Sequence, residues 1–131
     1  VSSRAVACAR HNAERAGLSS KNVSFECGDS ESLFENLVMN SHFDADRTCV
    51  VIDPPRNGCN ESFLTQLISF APRRVVYISC NPETLCHDLA SLAHKYKVDG
   101  EILPLDMFPQ TRHVECVVSL MIKGDDVRKS N

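Results

Sequence analysis

The sequence predicts an open α/β sheet of the doubly wound type, in which helices alternate with apolar strands. Residues 48–53 (TCVVID) and 74–79 (RVVYIS) are nearly continuous apolar runs, a pattern typical of strands buried on both faces of a parallel sheet. Between them, residues 61–71 carry apolar side chains at helical spacing. Ligands of such sheets bind beyond the carboxyl ends of the strands, and those ends carry Asp53 and Cys80.

The elements before the first of these strands follow from capping residues and periodicity. Ser2 or Ser3 can cap a first helix that runs to about Ala16 and stops at Gly17. A strand is predicted over residues 23–27 (VSFEC). A short helix is then expected over residues 32–40.

The second half of the chain is predicted to hold a further helix and two more strands. Asn81 is a good N-cap and Pro82 a good first residue for a helix over residues 82–96. The two strands are expected around residues 101–108 and 114–122.

Composition favours one compact domain over residues 1–123, followed by a polar tail over 124–131. The chain has 131 residues, of which 43% are hydrophobic and 24% charged. No run reaches the roughly 18 apolar residues of a membrane span, so an intracellular protein is expected. A net charge of -3 argues against a domain that holds nucleic acid nonspecifically.

The cysteines do not have the spacing of a structural framework. There are seven, an odd number, and none forms a CxxC pair, so neither a set of disulfides nor a zinc ribbon is indicated. No metal site is predicted. Most of the cysteines are expected to be reduced, buried, small side chains.

Three segments stand out: DPPRNG at 53–58, SCNPET at 79–84 and FPQTRHVE at 108–115. Together, and in this order, they resemble the RNA 5-methyluridine (uracil-C5) methyltransferases, which are class I S-adenosylmethionine-dependent enzymes. The resemblance runs from the first helix to about Ile122. It implies a Rossmann-like class I methyltransferase sheet, S-adenosylmethionine as cofactor and RNA as partner, with transfer RNA favoured over ribosomal RNA.

The chemistry explains why a cysteine and a carboxylate are needed. Uracil C5 is too poor a nucleophile to take a methyl group until a thiolate adds to C6, and a base must later remove the C5 proton. Cys80 lies at a strand end just before a helix, whose positive end favours the thiolate. The resemblance implies that Cys80 is the nucleophile and that Glu115 is the base.

Four other residues receive weaker roles from the resemblance. Asp53 is expected to contact the cofactor or the target base, and Arg56 to hold the uracil or neighbouring RNA. His113 is expected to orient RNA or Glu115. Asp29 matches the place where class I methyltransferases contact adenine, although an Asp that caps a helix explains it equally well.

Other reactions fit the same residues less well. RNA 5-methylcytosine enzymes carry a second cysteine beside the Pro-Pro turn, where this chain has Arg56, and amino-group methyltransferases carry an aromatic residue there. A cysteine hydrolase would pair Cys80 with a histidine, but no local signature supports it. The histidines that such an enzyme could use are His87, His94 and His113.

The chain departs from the family at the cofactor site. Its five glycines are too scattered for a nucleotide-binding loop, so a fragment is expected, truncated at its N-terminal side and lacking the first two strands of the sheet. Such a fragment should be inactive alone and should either displace the strand at 23–27 or pair between chains. The alternative is a noncatalytic binding domain that retains a methyltransferase-like core.

Overall fold

The protein is described by a computed structural model that covers residues 2–18, 22–40 and 43–124. The chain forms two compact units, residues 1–40 and residues 41–131. The expected polar tail lies outside the described residues, except for its first residue. Within the described part of the chain, no helix is long and apolar enough to cross a membrane.

The first unit holds two helices, α1 (Ser3–Arg15) and α2 (Ser30–Asn40). Ser2 is the N-cap of α1, as predicted, and Gly17 follows its end with a φ of 72°. The strand predicted over residues 23–27 is wrong, because this segment lies in no strand. A strand needs a neighbouring strand to satisfy its backbone, and all strands of the described residues lie in the second unit.

The second unit holds a mixed sheet with helices between its strands. The strands are β1 (Cys49–Ile52), β2 (Arg74–Ser79), β3 (Tyr96–Val98), β4 (Leu103–Leu105) and β5 (Glu115–Ile122). The helices are α3 (Glu61–Phe70) and α4 (Pro82–Leu92). The order is β1-β2-β5-β3, and β4 pairs with β5 as well. β1 and β2 are parallel, whereas β5 runs antiparallel to β2, β3 and β4.

The core of this unit forms where both helices pack apolar side chains against the inner strands. Its buried members include Phe63, Leu64, Leu67, Val75, Tyr77, Leu85, Leu92, Val118 and Leu120. β1 differs from the prediction of a strand buried on both faces, because Val51 is 63% exposed and only Ile52 is buried. β1 ends the order of strands, so its side chains have a neighbouring strand on one side only.

Helix α4 is shorter than the sequence predicts, because Tyr96 belongs to β3 instead. Tyr96 pairs with Ile122 across the sheet, and its buried hydroxyl donates a hydrogen bond to the carbonyl oxygen of Pro72 at 3.0 Å. Tyr96 also fits the apolar stripe of a longer helix, so hydrophobic periodicity alone does not decide whether this residue belongs to a helix or to a strand. The pairing with β5 is a tertiary contact that the local sequence does not encode.

The expectation that most cysteines are buried is wrong. All seven lie in the described ranges and are free thiols, and only Cys116 is buried. Cys59 and Cys80 are partly buried, and the other four are exposed.

Candidate active site

Two of the predicted site residues lie at the same edge of the sheet. Asp53 follows the last residue of β1, and Cys80 follows the last residue of β2. β1 and β2 are parallel, with Ile52 opposite Tyr77, so their carboxyl ends point to one edge. Asp53 is exposed and Cys80 is partly buried. This is the edge at which open α/β sheets bind ligands.

The antiparallel pairing of β2 with β5 brings the third site residue to this edge. Ser79, the last residue of β2, is opposite Cys116, so Cys80 and Glu115 are the residues that directly adjoin this last pair of the ladder. Glu115, like Cys80, is partly buried. A thiol and a carboxylate that are far apart in the sequence therefore both adjoin the last pair of β2 and β5 at this edge of the sheet.

Helix α4 begins immediately after Cys80. Asn81 is its N-cap, and the side-chain oxygen of Asn81 accepts a hydrogen bond from the backbone N–H of Glu83 at 3.1 Å. Pro82 occupies the start of the helix, which confirms both predictions for this end. The first turn of a helix carries a partial positive charge, and this end of α4 lies at the carboxyl edge of the sheet.

Arg56, in the loop after β1, contacts both of the other segments that the sequence singled out, SCNPET at 79–84 and FPQTRHVE at 108–115. The carbonyl oxygen of Arg56 accepts hydrogen bonds from the side chains of Asn81, at 3.0 Å, and Thr84, at 3.1 Å. Its guanidinium Nη2 lies 3.0 Å from Nε2 and 3.2 Å from Nδ1 of His113. The three sequence segments singled out by their chemistry thus meet in the structure. We call Asp53, Arg56, Cys80, His113 and Glu115 the polar rim.

A hydrogen-bonded turn sets the position of His113. Thr111 donates to the carbonyl oxygen of Phe108 from both its backbone N–H, at 3.2 Å, and its hydroxyl, at 2.7 Å. The backbone N–H of His113 donates to the hydroxyl oxygen of Thr111 at 3.2 Å. Gln110 adopts a φ of 67°, which is uncommon for a residue with a side chain. This turn places the His113 ring against the Arg56 guanidinium.

Beneath the rim lies a buried cluster that sequence reasoning missed. Asp88 in α4 is 3% exposed, and its Oδ2 accepts hydrogen bonds from the Tyr77 hydroxyl, at 2.6 Å, and the Cys59 backbone N–H, at 2.8 Å. Gly58 lies against the same carboxylate, since a Cβ built on it would be 2.9 Å from Oδ2. We call Gly58, Cys59, Tyr77 and Asp88 the Asp88 cluster.

The cluster keeps its two weakly acidic groups protonated. Burial, partly offset by the Tyr77 hydrogen bond, raises the pKa of the Cys59 thiol to about 11. Burial and the hydrogen bond to Asp88 raise the pKa of Tyr77 far above its usual range. One signal of this cluster was present in the sequence: Asp88 occupies a position of the apolar stripe that contains Leu85 and Leu92.

The remaining predicted residues lie elsewhere. Asp29 belongs to the first unit, where its Oδ2 accepts a hydrogen bond from the backbone N–H of Glu31 at 3.2 Å, in the first turn of α2. That contact is the capping role that the sequence left open; the adenine contact stays a prediction. His94 has its Nδ1 2.9 Å from the carbonyl oxygen of Ser91. In the described ranges, no three His, Cys, Asp or Glu side chains group as a metal site.

Comparisons with known sequences point to one family. A model of the family described as tRNA (Uracil-5-)-methyltransferase matches residues 12–123. An uncharacterized RNA methyltransferase of Listeria monocytogenes serotype 4b (strain F2365) is 44% identical over 115 residues, covering 88% of this chain and 24% of the relative. The tRNA (uracil(54)-C(5))-methyltransferase of Schizosaccharomyces pombe is 40% identical over 125 residues, covering 92% of this chain and 22% of the relative.

A solved structure is similar as well. The tRNA (uracil-54, C5)-methyltransferase of Pyrococcus abyssi, crystallised with S-adenosyl-L-homocysteine, superimposes with a TM-score of 0.72 at 33% identity. The match covers 92% of this chain and 27% of that one. The chain therefore spans about a quarter of the length of the relatives that it matches.

Proposed function

Because this chain belongs to the tRNA (uracil-5-)-methyltransferase family, we propose that the protein methylates C5 of uracil in RNA inside the cell. Transfer RNA is the favoured substrate over ribosomal RNA, since the named relatives from Schizosaccharomyces pombe and Pyrococcus abyssi act on transfer RNA. The observation that supports the proposal is the pairing of Ser79 with Cys116 at the carboxyl edge of the sheet, since Cys80 and Glu115 directly adjoin these two residues.

The reaction begins at Cys80. Its thiolate Sγ adds to C6 of the uracil ring, which breaks the C5–C6 double bond and moves the electron pair toward C5 and O4. C5 thereby becomes nucleophilic. Cys80 stands directly before Asn81, the N-cap of α4.

S-adenosylmethionine supplies the methyl group that C5 takes up. Asp53 fits this cofactor, because its exposed carboxylate stands at the end of a parallel strand and can accept hydrogen bonds from a nucleoside or an ammonium group. Asp29 is proposed for the adenine, with its backbone contact to Glu31 as the competing role. Asp53 lies in the second unit and Asp29 in the first, and each assignment is made for its own unit alone.

Glu115 completes the cycle. Once C5 carries both a methyl group and its original proton, the Glu115 carboxylate removes that proton, the electron pair restores the C5–C6 double bond and the Cys80 sulfur leaves. Arg56 and His113, which touch each other at the rim, hold the uracil or its neighbouring nucleotides. The Arg56 guanidinium suits a carbonyl oxygen or a phosphate.

The direct test is the identity of the product. Purified full-length protein is incubated with methyl-labelled S-adenosylmethionine and unmodified transfer RNA transcripts, and the RNA is digested to nucleosides. We expect label in 5-methyluridine. Transcripts that already carry 5-methyluridine serve as the control and should take up little label. Label in 5-methylcytidine, or in an N-methylated base, would exclude the proposal.

Residues 1–131 on their own are expected to bind S-adenosylmethionine weakly and to leave RNA unmethylated. The scattered glycines of the sequence are the reason, since they build no nucleotide-binding loop. Calorimetry with the isolated chain tests this expectation, and a clear micromolar dissociation constant would contradict it. Pairing between chains also stays a prediction, and sedimentation of the same sample over a range of concentrations tests it.

A further inference from the structure

The N-cap of helix α4 and two residues within the helix hold the loop that follows β1. Asn81 and Thr84 donate hydrogen bonds to the carbonyl oxygen of Arg56, and Asp88 accepts one from the backbone N–H of Cys59. Their spacing, three and then four residues, places them on one face of the helix. The same helix begins directly after Cys80. One face of α4 thus connects the proposed nucleophile to the loop that carries Arg56.

Asp88 is the buried end of this connection. Its side chain is 3% exposed, and a buried carboxylate persists only where hydrogen bonds compensate for the lost water. Here one oxygen, Oδ2, accepts from both the Cys59 N–H and the Tyr77 hydroxyl. Tyr77 lies in β2 and is fully buried, so it ties the carboxylate to an inner strand of the sheet.

The loop is shaped to approach Asp88 closely. The N–H of Gly58 donates to the carbonyl oxygen of Pro55 at 2.9 Å, which closes a turn around Arg56. Gly58 has a φ of 79°, and an added Cβ would be 2.9 Å from Oδ2 of Asp88. A glycine is therefore required both by the backbone angle and by the carboxylate.

We propose that Asp88 is a positioning residue, which fixes the turn that carries Arg56 relative to Cys80 and so sets where the uracil sits against the nucleophile. The inference rests on the proposed methyl transfer. It goes beyond that function because Asp88 is buried and lies outside the polar rim to which the substrate and cofactor are assigned. A displacement of about 1 Å in a group that orients a substrate can cost up to about 100-fold in rate.

The test measures turnover per competent site in the full-length protein. Transfer RNA made with 5-fluorouridine titrates those sites, because fluorine replaces the C5 proton that the base removes and the covalent complex cannot break down. Turnover on ordinary transfer RNA is then divided by the titrated fraction. A purely structural role for Asp88 lowers the titrated fraction and leaves turnover per site unchanged.

For Asp88→Ala we expect turnover per titrated site to fall at least about tenfold. Asp88→Asn should stay within about threefold of wild type, because the amide oxygen can accept both hydrogen bonds at the Oδ2 position. Tyr96→Phe is the matched control: it removes the hydrogen bond from a buried tyrosine hydroxyl to the carbonyl oxygen of Pro72, outside the Asp88 cluster. We expect Tyr96→Phe to lower the melting temperature without changing turnover per site.

A second variant covers the case in which Asp88→Ala does not fold. Gly58→Ala pushes the loop away from the carboxylate from the other side, and it should lower turnover per site to a similar extent. Unchanged turnover per site in Asp88→Ala, or in Gly58→Ala where the first variant does not fold, would overturn the positioning role. A wild-type protein that forms neither 5-methyluridine nor the covalent complex would overturn the proposed function and the inference that rests on it.

Discussion

The polar rim and the Asp88 cluster share two stretches of chain but have opposite properties. Both draw on the loop after β1 and on β2 or the residue that follows it, whereas only the rim includes residues at or just before the start of β5 and only the cluster includes a residue of α4. In the rim, Asp53, Arg56 and His113 are exposed. In the cluster, Tyr77 and Asp88 are buried and bonded to each other. Exposed groups that can contact a substrate therefore lie only a few residues along the chain from buried groups that cannot.

The two cysteines of these regions make the difference concrete. Cys59 has its thiol near the Tyr77 hydroxyl, and its raised pKa, about 11, keeps the sulfur protonated at neutral pH. Cys59 and Cys80 are alike in that each directly precedes the N-cap of a helix, Asn60 of α3 and Asn81 of α4, and both are partly buried. We therefore expect any difference in reactivity between the two thiols to come from the Asp88 cluster, to which only Cys59 belongs.

The largest expected effect is the loss of the rim nucleophile. Cys80→Ala should lower 5-methyluridine formation by at least about 10⁴-fold, because no other group of the rim can add to C6. Cys86→Ala is the matched control, as it removes an exposed thiol from α4, the helix that follows Cys80, and should leave the rate unchanged. Both rates come from the labelled-methyl assay. Methyl transfer that survives Cys80→Ala would rule out the assigned nucleophile.

Removal of the proposed base should cost less and should change what accumulates. For Glu115→Gln we expect turnover to fall about 10²–10⁴-fold, since general base catalysis contributes about that much. Addition and methylation come before proton removal, so a covalent RNA adduct should build up and run as a shifted band on a denaturing gel. Glu101→Gln, at an exposed position, should give no such band. An inactive Glu115→Gln protein that binds RNA without any adduct would contradict the role.

Loss of the rim cation should weaken substrate binding more than the chemistry. Arg56→Gln removes a charged hydrogen-bond donor, and we expect the KM for transfer RNA to rise about 10–100-fold. Arg47→Gln makes the same change of charge just before the amino end of β1 and should have little effect. Steady-state kinetics separate KM from kcat. Equal effects of the two variants would show that Arg56 acts only through net charge.

The rim could be predicted from the sequence and the cluster could not. Cys80, Asn81 and Pro82 carry a local signal, since a strand end, an N-cap and a first helical proline follow each other directly. Asp88 gives no such signal, because its partners Cys59 and Tyr77 lie far from it in the sequence. The only indication in the sequence was that Asp88 lies on the apolar stripe of α4, where a buried carboxylate needs hydrogen-bond donors.

The missed elements of the fold have the same cause. β3 at Tyr96–Val98 exists because it pairs with β5, and residues 23–27 form no strand because they lie outside the sheet. Apolar periodicity describes which face of a segment is buried, but it does not reveal the partner that decides between helix, strand and loop. Parallel β1 and β2 were predictable because both are short apolar runs that end at polar residues.

The smallest expected effect concerns the cluster and appears at alkaline pH. The pKa of Cys59 in the folded protein, about 11, exceeds that of an exposed thiol, about 8.5. The stabilisation from this protonated thiol is therefore complete below about pH 8, and it is lost as the pH rises through about 11, because the unfolded chain releases the proton first. Burial raises the pKa of Tyr96 to about 12, so the stabilisation from its protonated hydroxyl is lost at a higher pH.

Replacement of the thiol isolates its share of this loss. Cys59→Ser keeps a small polar side chain beside Tyr77 but does not titrate, so the decline in its free energy of unfolding between about pH 8 and 11 should be smaller by on the order of 1–2 kcal/mol, after allowance for the partial exposure of the site. Urea unfolding at a series of pH values measures it. Cys86→Ser, at an exposed thiol, should follow the wild-type profile, since its surroundings change little on unfolding. Parallel profiles for Cys59→Ser and wild type would mean that the Cys59 thiol is not held protonated by burial, and the contrast between the cluster and the rim would then rest on Asp88 and Tyr77 alone.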